Sequence, residues 1–129
     1  MITFLLEDII DFHNDLEQNS IVSAGIRDKS LIESAVNAPF QTFDNMELYP
    51  TVEEKAAHLF YGLVKNHGFI DGNKRVAVHA MFIYLSLNYI FFDYTVDEME
   101  KLVIGLADGS LNADDVVEWI YNKEIDNRE

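Results

Sequence analysis

Nine consecutive residues near the middle of the chain carry the side chains best suited to chemistry. They run from His67 to Arg75 and read His-Gly-Phe-Ile-Asp-Gly-Asn-Lys-Arg. The whole chain has 9 Lys and Arg against 23 Asp and Glu. Lys74 and Arg75 are the only two basic residues that are neighbours in the sequence. A cationic spot in an anionic chain favours binding of one specific anion, such as a nucleotide phosphate, over a broad polyanion surface.

The order of these residues indicates transfer of a phosphoryl or nucleotidyl group. Residues 72–74 are predicted to begin a buried helix, whose first N–H groups and partial positive charge form an anion nest. Arg75 can add a forked contact to phosphate oxygens and Lys74 a point charge. Asp71 supplies a hard oxygen donor for Mg²⁺. Histidine is the side chain best suited to proton transfer near neutral pH, so His67 can accept the proton of an attacking hydroxyl.

Each of these residues alone is more often structural, because an acid before a helix is usually a cap and Gly-Asn is a common turn. Only their combination favours a functional site. His13 and His79 are predicted to lie in packing or at the surface. His58 lacks a His-Glu-x-x-His pattern, which argues against metalloprotease chemistry.

Composition excludes several other classes of function. A formal net charge of −14 argues against direct nucleic-acid binding and against anionic membrane surfaces. The chain has no cysteine and hence no disulfide or thiolate metal site. The N-terminus lacks the pattern of a signal peptide, and the longest apolar run, 77–87, is too short to span a bilayer. We therefore expect a cytoplasmic protein.

Hydrophobic periodicity predicts an all-α fold of about six helices with one small extended flap. The first predicted helix spans 4–16, and the second is capped by Asp28 and stopped by Pro39. The third runs from a capping box at 51–54 to Asn66, and the fourth spans 73–88. The fifth begins at a capping box at 95–98, and the sixth is capped by Asn112. Residues 105–110 are predicted to be a turn and 89–93 a short strand. The helix over 73–88 is apolar on nearly every side, which is typical of a buried central helix. The flap, residues 40–50, is predicted to turn at Asp44-Asn45.

The nine-residue motif resembles the signature of the Fic/Doc superfamily. Lys74, where AMP-transferring Fic enzymes have glycine, is similar to the Doc (death-on-curing) toxin branch. The likeness extends to residues 25–39, 54–57 and 105–109, and so covers nearly the whole chain. It implies a single Fic/Doc domain over residues 1–129, built as an all-α helical bundle with a buried central helix and a small extended flap.

The resemblance implies a role for each matching position. His67 would be the general base toward a target hydroxyl, and Asp71 would bind Mg²⁺. Lys74 and Arg75 would also assist catalysis. Four residues would hold the phosphates of ATP: Gly72, Asn73, Lys74 and Arg75. Three flap residues would align the target by strand-like pairing: Gln41, Thr42 and Phe43.

In Doc proteins the nucleotide is understood to sit reversed, so that the γ-phosphate is transferred, and the lysine at the Lys74 position is thought to enforce this. The resemblance therefore implies the toxin of a type II toxin–antitoxin pair. It would phosphorylate a Ser or Thr of a cytosolic protein with Mg²⁺ and ATP. By resemblance the target is the elongation factor that delivers aminoacyl-tRNA, and the effect is arrested translation.

Two alternatives stay open. Gly68 stands where many Fic proteins have proline and Gly72 where some Doc proteins have alanine, so AMP transfer remains possible. The second alternative is a catalytically silent module that binds nucleotide or antitoxin, although intact His67, Asp71 and Arg75 argue against it. The chain lacks the self-inhibitory segment Ser/Thr-x-x-x-Glu-Gly/Asn, which predicts that a cognate Phd-type antitoxin restrains the protein.

Overall fold

The computed structural model describes residues 6–19 and 25–125, and every structural statement below concerns that part of the chain. It contains six α-helices: α1 (Leu6–Gln18), α2 (Lys29–Asn37), α3 (Val52–Asn66), α4 (Asn73–Leu87), α5 (Val96–Asp108) and α6 (Ala113–Lys123). A 3₁₀ turn, Ala38–Phe40, follows α2. Four two-residue strands complete the described elements: β1 (Thr42–Phe43), β2 (Met46–Glu47), β3 (Phe91–Phe92) and β4 (Glu124–Ile125). The predicted all-α fold is confirmed. The predicted start of the first helix at Phe4 lies outside the described residues.

Polar caps set the beginnings of four helices. Asp28 accepts a hydrogen bond from the Ser30 N–H at the start of α2. Complete capping boxes open α5 at Thr95 and α6 at Asn112. At α3 the Thr51 hydroxyl accepts from the Glu54 N–H, as predicted. The Glu54 carboxylate, however, takes its hydrogen bond from the Thr51 hydroxyl and not from a backbone N–H, so half of the predicted box is absent.

The helix at the centre of the bundle is α3, and the prediction that the helix over 73–88 would be central is wrong. α3 packs against α2, α4, α5, α6 and the 3₁₀ turn, whereas α4 packs mainly against α3 and α1. Small residues permit this crowding: a Cβ atom built on Gly62 would lie only 3.0 Å from the Cβ of Ala35 on α2. α4, although apolar on nearly every side, instead leaves Phe82 and Leu87 about two-fifths exposed. Which helix is central therefore depends more on how closely other elements can pack around it than on its total hydrophobicity.

The predicted turn over 105–110 begins too early. α5 continues to Asp108, and the chain turns only at Gly109, whose φ of +84° is left-handed. Gly105 lies within α5. A Cβ atom at this position would come within 2.4 Å of the Leu111 side chain, so only glycine lets Leu111 pack there. Glycine at this position serves close packing and not a turn.

Two short antiparallel sheets complete the described fold. The flap forms the predicted hairpin, with Thr42 opposite Glu47 and Phe43 opposite Met46. Asp44 and Asn45 both have positive φ, at 55° and 63°, as a type I′ turn requires. The predicted strand near 89–93 is β3, which pairs with β4 at the far end of the chain. The predicted frayed tail, 126–129, lies outside the described residues.

None of the described helices combines the length and apolar character needed to cross a bilayer.

Candidate active site

The nine-residue motif forms a loop that joins the end of α3 to the start of α4. His67 is the C-cap of α3 and adopts the left-handed conformation, with φ 52° and ψ 49°. Such a conformation is uncommon for a residue with a Cβ atom and reverses the chain direction directly after the helix. The His67 side chain is exposed. A hydroxyl group from another molecule can therefore reach its ring.

A segment between α1 and α2 holds the loop by main-chain hydrogen bonds. The Gly68 carbonyl accepts from the Arg27 N–H at 2.8 Å and from the Asp28 N–H at 2.9 Å. The Ile70 N–H donates to the Gly25 carbonyl at 3.2 Å. A Cβ on Gly68 would lie 2.3 Å from the Ile32 side chain, so this glycine lets the loop pack against α2. These contacts constrain the loop although it lacks the proline that many Fic proteins have there.

Arg27 adds a second constraint at the end of α3. Its Nε donates to the His67 carbonyl at 2.7 Å and its Nη2 to the Asn66 carbonyl at 3.1 Å. The last carbonyls of a helix have no partner within it and carry partial negative charge. The guanidinium therefore gives hydrogen-bond partners to two carbonyls at the end of α3, where the His67 side chain is attached. Sequence reasoning missed Arg27, because nothing local to it signals a partner 40 residues away.

Asn73 closes the loop from its other end. Its side-chain oxygen accepts from the Phe69 N–H and its amide nitrogen donates to the Phe69 carbonyl, both at 3.0 Å. Asn73 is only 9% exposed. Its side chain thus braces the loop, and only its backbone N–H is available for the phosphate contact that was predicted for this residue.

Gly72 and Asp71 form the turn into α4. Gly72 is the N-cap and has a φ of +82°, a left-handed conformation that glycine adopts without steric cost. The exposed Asp71 carboxylate accepts the Gly72 N–H at 2.8 Å. The turn brings Asp71 to the helix terminus whose first backbone N–H groups form the predicted anion nest.

A magnesium ion at this turn would have to share its ligands with a nucleotide. Among the described residues, no group of three or more His, Asp or Glu side chains is arranged to hold a metal ion. Mg²⁺ bound by one or two carboxylates together with substrate phosphates needs no such group. The exposed Asp71 carboxylate, next to the N-terminus of α4, fits that second arrangement.

The two cations are exposed on the first turn of α4. Within residues 6–19 and 25–125, neither Lys74 nor Arg75 has a carboxylate within 4.0 Å. Both side chains line a groove of about 770 Å³ between α1, α4 and α5. Most other lining side chains are apolar or aromatic, and they include Phe12, Leu16, Val78, Phe82, Met99 and Ile104. Two acids, Asp15 and Glu100, also line the groove. The cations therefore remain available to an anion at one side of a largely apolar groove.

The predicted docking flap lies at the other end of α3. The Glu47 carboxylate pairs with Lys55, in the first turns of α3, whereas the motif loop follows Asn66. Asn66 lies eleven positions after Lys55 on α3, which is about 16 Å along the axis. The structure thus brings His67, Asp71, Gly72, Asn73 and the two cations into one loop and helix start, and it holds the base of the flap away from them.

His13 on α1 also contacts the loop, and Glu17 on the same helix contacts His13. His13 is 1% exposed, and its Nε2 lies 2.7 Å from the Asp71 carbonyl oxygen. His13 was predicted to lie in packing or at the surface, and its contact with the Asp71 carbonyl was not predicted. The available signal was the four-residue spacing of His13 and Glu17, which places both on one face of a helix.

Two comparisons with known proteins bear on this geometry. The model of the Fic/DOC family matches residues 3–85, a range that includes the flap and the whole motif. The chain is 32% identical over 116 residues to Toxin Doc of Mycolicibacterium smegmatis. That alignment covers 86% of this chain and 89% of the relative. The resemblance inferred from the motif is confirmed, and the chain belongs to the Fic/DOC family.

Proposed function

We propose that this protein is the toxin of a type II toxin–antitoxin pair and that it transfers the γ-phosphate of ATP to a Ser or Thr hydroxyl of a cytosolic protein. One observation carries the proposal. A single loop and helix start hold an exposed histidine, an exposed carboxylate, a left-handed glycine at a helix N-terminus and two exposed cations that have no carboxylate partner among the described residues. The name of the similar protein, Toxin Doc, supports the assignment as a toxin.

In the proposed reaction each group has one task. His67 accepts the proton of the target hydroxyl, whose oxygen forms the new bond to the γ-phosphorus while the bond to the β-phosphate oxygen breaks and ADP leaves. The first N–H groups of α4, with Lys74 and Arg75, stabilise the negative charge on the phosphate oxygens. Asp71 holds Mg²⁺, which when bound neutralises phosphate charge. The side chain of Asn73 keeps the loop in shape from behind.

We further propose that the flap binds part of the target protein. In a two-residue hairpin the pair next to the turn is hydrogen-bonded, so the backbone groups of Thr42 in the next pair point away from β2. They leave an open edge to which an extended segment can add. Phe43 and Met46 are 74% and 72% exposed and offer apolar contacts. Because the base of the flap lies about 16 Å along α3 from the motif loop, the flap holds a part of the target that is distant from the accepting hydroxyl.

The proposed partner that restrains the toxin is a Phd-type antitoxin. The groove between α1, α4 and α5 supports this, because a segment that fills it would cover Lys74 and Arg75 as well as apolar side chains. The complementary segment would be an amphipathic helix with acidic residues facing the two cations. The proposed target is the elongation factor that delivers aminoacyl-tRNA, and the proposed consequence in the cytoplasm is arrested translation.

The deciding experiment uses ATP labelled separately at the α- and γ-phosphate. Purified protein is mixed with cytosolic extract and Mg²⁺, beside a His67→Ala variant. Protein-bound label from the γ position only, absent with the variant, is the expected result. Label from the α position only would make the protein an AMP transferase, and label from neither position would favour the silent binding module. Purified elongation factor in place of the extract then tests the target.

A further inference from the structure

A buried histidine outside the motif contacts the turn that carries Asp71. The ring of His13 is stacked on Phe69, with centroids 4.0 Å apart and planes within 5°. Its Nε2 lies 2.7 Å from the Asp71 carbonyl oxygen, and its Nδ1 lies 2.9 Å from Glu17 Oε1. The residue is 1% exposed. A polar ring so deeply buried is stable only where its nitrogens have partners, and both have one.

Both partners of the ring are hydrogen-bond acceptors. The Asp71 carbonyl can only accept, so the ring donates to it from Nε2, and Nδ1 faces the Glu17 carboxylate. Paired in this way, the two side chains form a fixed strut from α1 to the main chain of the motif.

The strut continues through Glu17 to the segment that braces the loop. The same oxygen, Glu17 Oε1, accepts the Gly25 N–H at 2.9 Å. The Gly25 carbonyl in turn accepts the Ile70 N–H, directly before Asp71. Glu17 thus reaches the motif by two routes, one through His13 and one through Gly25. Glu17 is therefore linked to the Ile70 N–H through Gly25 and to the Asp71 carbonyl through His13.

We infer that His13 and Glu17 are positioning residues for the candidate active site, which fix the Asp71–Gly72 turn so that the Asp71 carboxylate and the first N–H groups of α4 are held ready for magnesium nucleotide. The inference rests on the proposed function for the identity of the ligand. Neither side chain touches the nucleotide in this role. Their effect is to hold a preformed geometry, which lowers the cost of ordering the turn when the ligand binds.

The test compares three variants with the wild-type protein. His13→Phe keeps a flat ring against Phe69 and removes both hydrogen bonds. Glu17→Gln removes the charge of a quarter-exposed side chain and leaves an oxygen for the Gly25 N–H. The matched control is His58→Phe, since His58 on α3 is a half-buried histidine whose ring stacks on Tyr49 at 3.5 Å, away from the motif loop. The measurements are amide hydrogen exchange without nucleotide and the affinity for magnesium–ATP by calorimetry.

We expect His13→Phe to speed exchange at residues 70–72 and to weaken magnesium–ATP binding, each by about tenfold, as loss of a buried hydrogen bond predicts. Glu17→Gln should change both quantities in the same direction by less, and His58→Phe should change neither. Unchanged exchange at residues 70–72 in His13→Phe would overturn the inference. So would faster exchange with unchanged ATP affinity, because the two residues would then be structural only.

Two further outcomes keep the inference separate from the proposed function. If His13→Phe fails to fold, Glu17→Gln decides alone by the same two measurements. If the wild-type protein transfers no phosphate or does not bind ATP, the proposed function is overturned. The exchange comparison, which is made without nucleotide, then still decides whether His13 and Glu17 fix the turn.

Discussion

The side chain of Asn73 forms hydrogen bonds with both the N–H and the carbonyl of Phe69, as a neighbouring β-strand would do. Both bonds are buried, and the Phe69 side chain is 2% exposed. The amide therefore gives the loop a fixed shape between two helices without any regular secondary structure. Because Asn73 is also the first residue of α4, the loop and the start of the anion nest are locked together.

Replacing Asn73 by alanine should strongly destabilise the fold. The change leaves the N–H and carbonyl of Phe69 buried without their partners, which should lower the free energy of unfolding by about 3 kcal/mol. Urea unfolding measures this. The control is Asn19→Ala, where one exposed side-chain bond to the Asp15 carbonyl is lost and about 0.5 kcal/mol or less is expected. Equal losses in the two variants would contradict the bracing role of Asn73.

Lys55 is a buried cation whose ammonium group, among the described residues, has its partners in the flap. It is 1% exposed, its Nζ donates to the Tyr49 carbonyl, and the same atom lies 3.1 Å from the Glu47 carboxylate. It also lies 5.9 Å from the centre of the Phe40 ring. Burial of a lysine near a helix N-terminus is unfavourable for stability on two grounds, desolvation and the helix dipole. The contribution of Lys55 should therefore lie in fixing the flap.

Lys55→Met should separate the stability of the fold from the order of the flap. Methionine fills a similar volume, so the free energy of unfolding should stay within about 1 kcal/mol of wild type or rise. Exchange of the Leu48 N–H, which donates to the Gln41 carbonyl in the hairpin, should become faster. The control is Lys65→Met on the same helix, whose Nζ donates to the Leu106 carbonyl. A flap that exchanges at the wild-type rate in Lys55→Met would show that Lys55 does not anchor it.

At the scale of elements, the start of α3 and strand β4 bring two carboxylates together. Loss of water around the Glu124 carboxyl, together with the hydrogen bond and the charge of Glu53, raises the pKa of Glu124 from 4.5 to about 7. β4 pairs with β3 and directly follows α6, so this repulsion acts where the end of the described chain closes on the bundle.

Removal of the Glu124 charge should stabilise the protein in a pH-dependent way. The folded protein keeps a proton that the unfolded chain loses as the pH rises above 4.5, so this carboxyl lowers stability progressively between pH 4.5 and about 7. Glu124→Gln should therefore raise the melting temperature at pH 8 and leave it unchanged at pH 4. Glu33→Gln on the exposed face of α2 removes the same charge elsewhere and is the control for the net charge. Equal gains in both variants at pH 8 would rule out a specific effect of the Glu53–Glu124 contact.

Over the whole molecule, the formal net charge of −14 opposes the compact state. Raising the ionic strength from about 0.01 M to about 0.15 M shortens the screening length from about 30 Å to about 8 Å. The melting temperature should therefore rise, by about 5 °C if the gain is about 1 kcal/mol. Calorimetry in NaCl and in choline chloride at equal ionic strength should give the same rise. A constant or falling melting temperature would mean that repulsion between the acids is already relieved by pairing.

The sequence by itself determined the local features of this protein. Periodicity, the caps at Asp28, Thr95 and Asn112, and the Asp44-Asn45 turn depend on residues a few positions apart, so their physics can be read along the chain. The same holds for the motif, since its chemical groups lie within nine residues and led directly to the family.

Only the tertiary structure decided how these parts are held and where they lie. The contacts of Arg27 with the His67 carbonyl and of His13 with the Asp71 carbonyl join residues 40 and 58 positions apart. The position of α3 at the centre, with the base of the flap at its far end, results from packing of small residues such as Ala35 and Gly62. Such contacts depend on the three-dimensional approach of whole elements, for which no pattern within a short window carries the information.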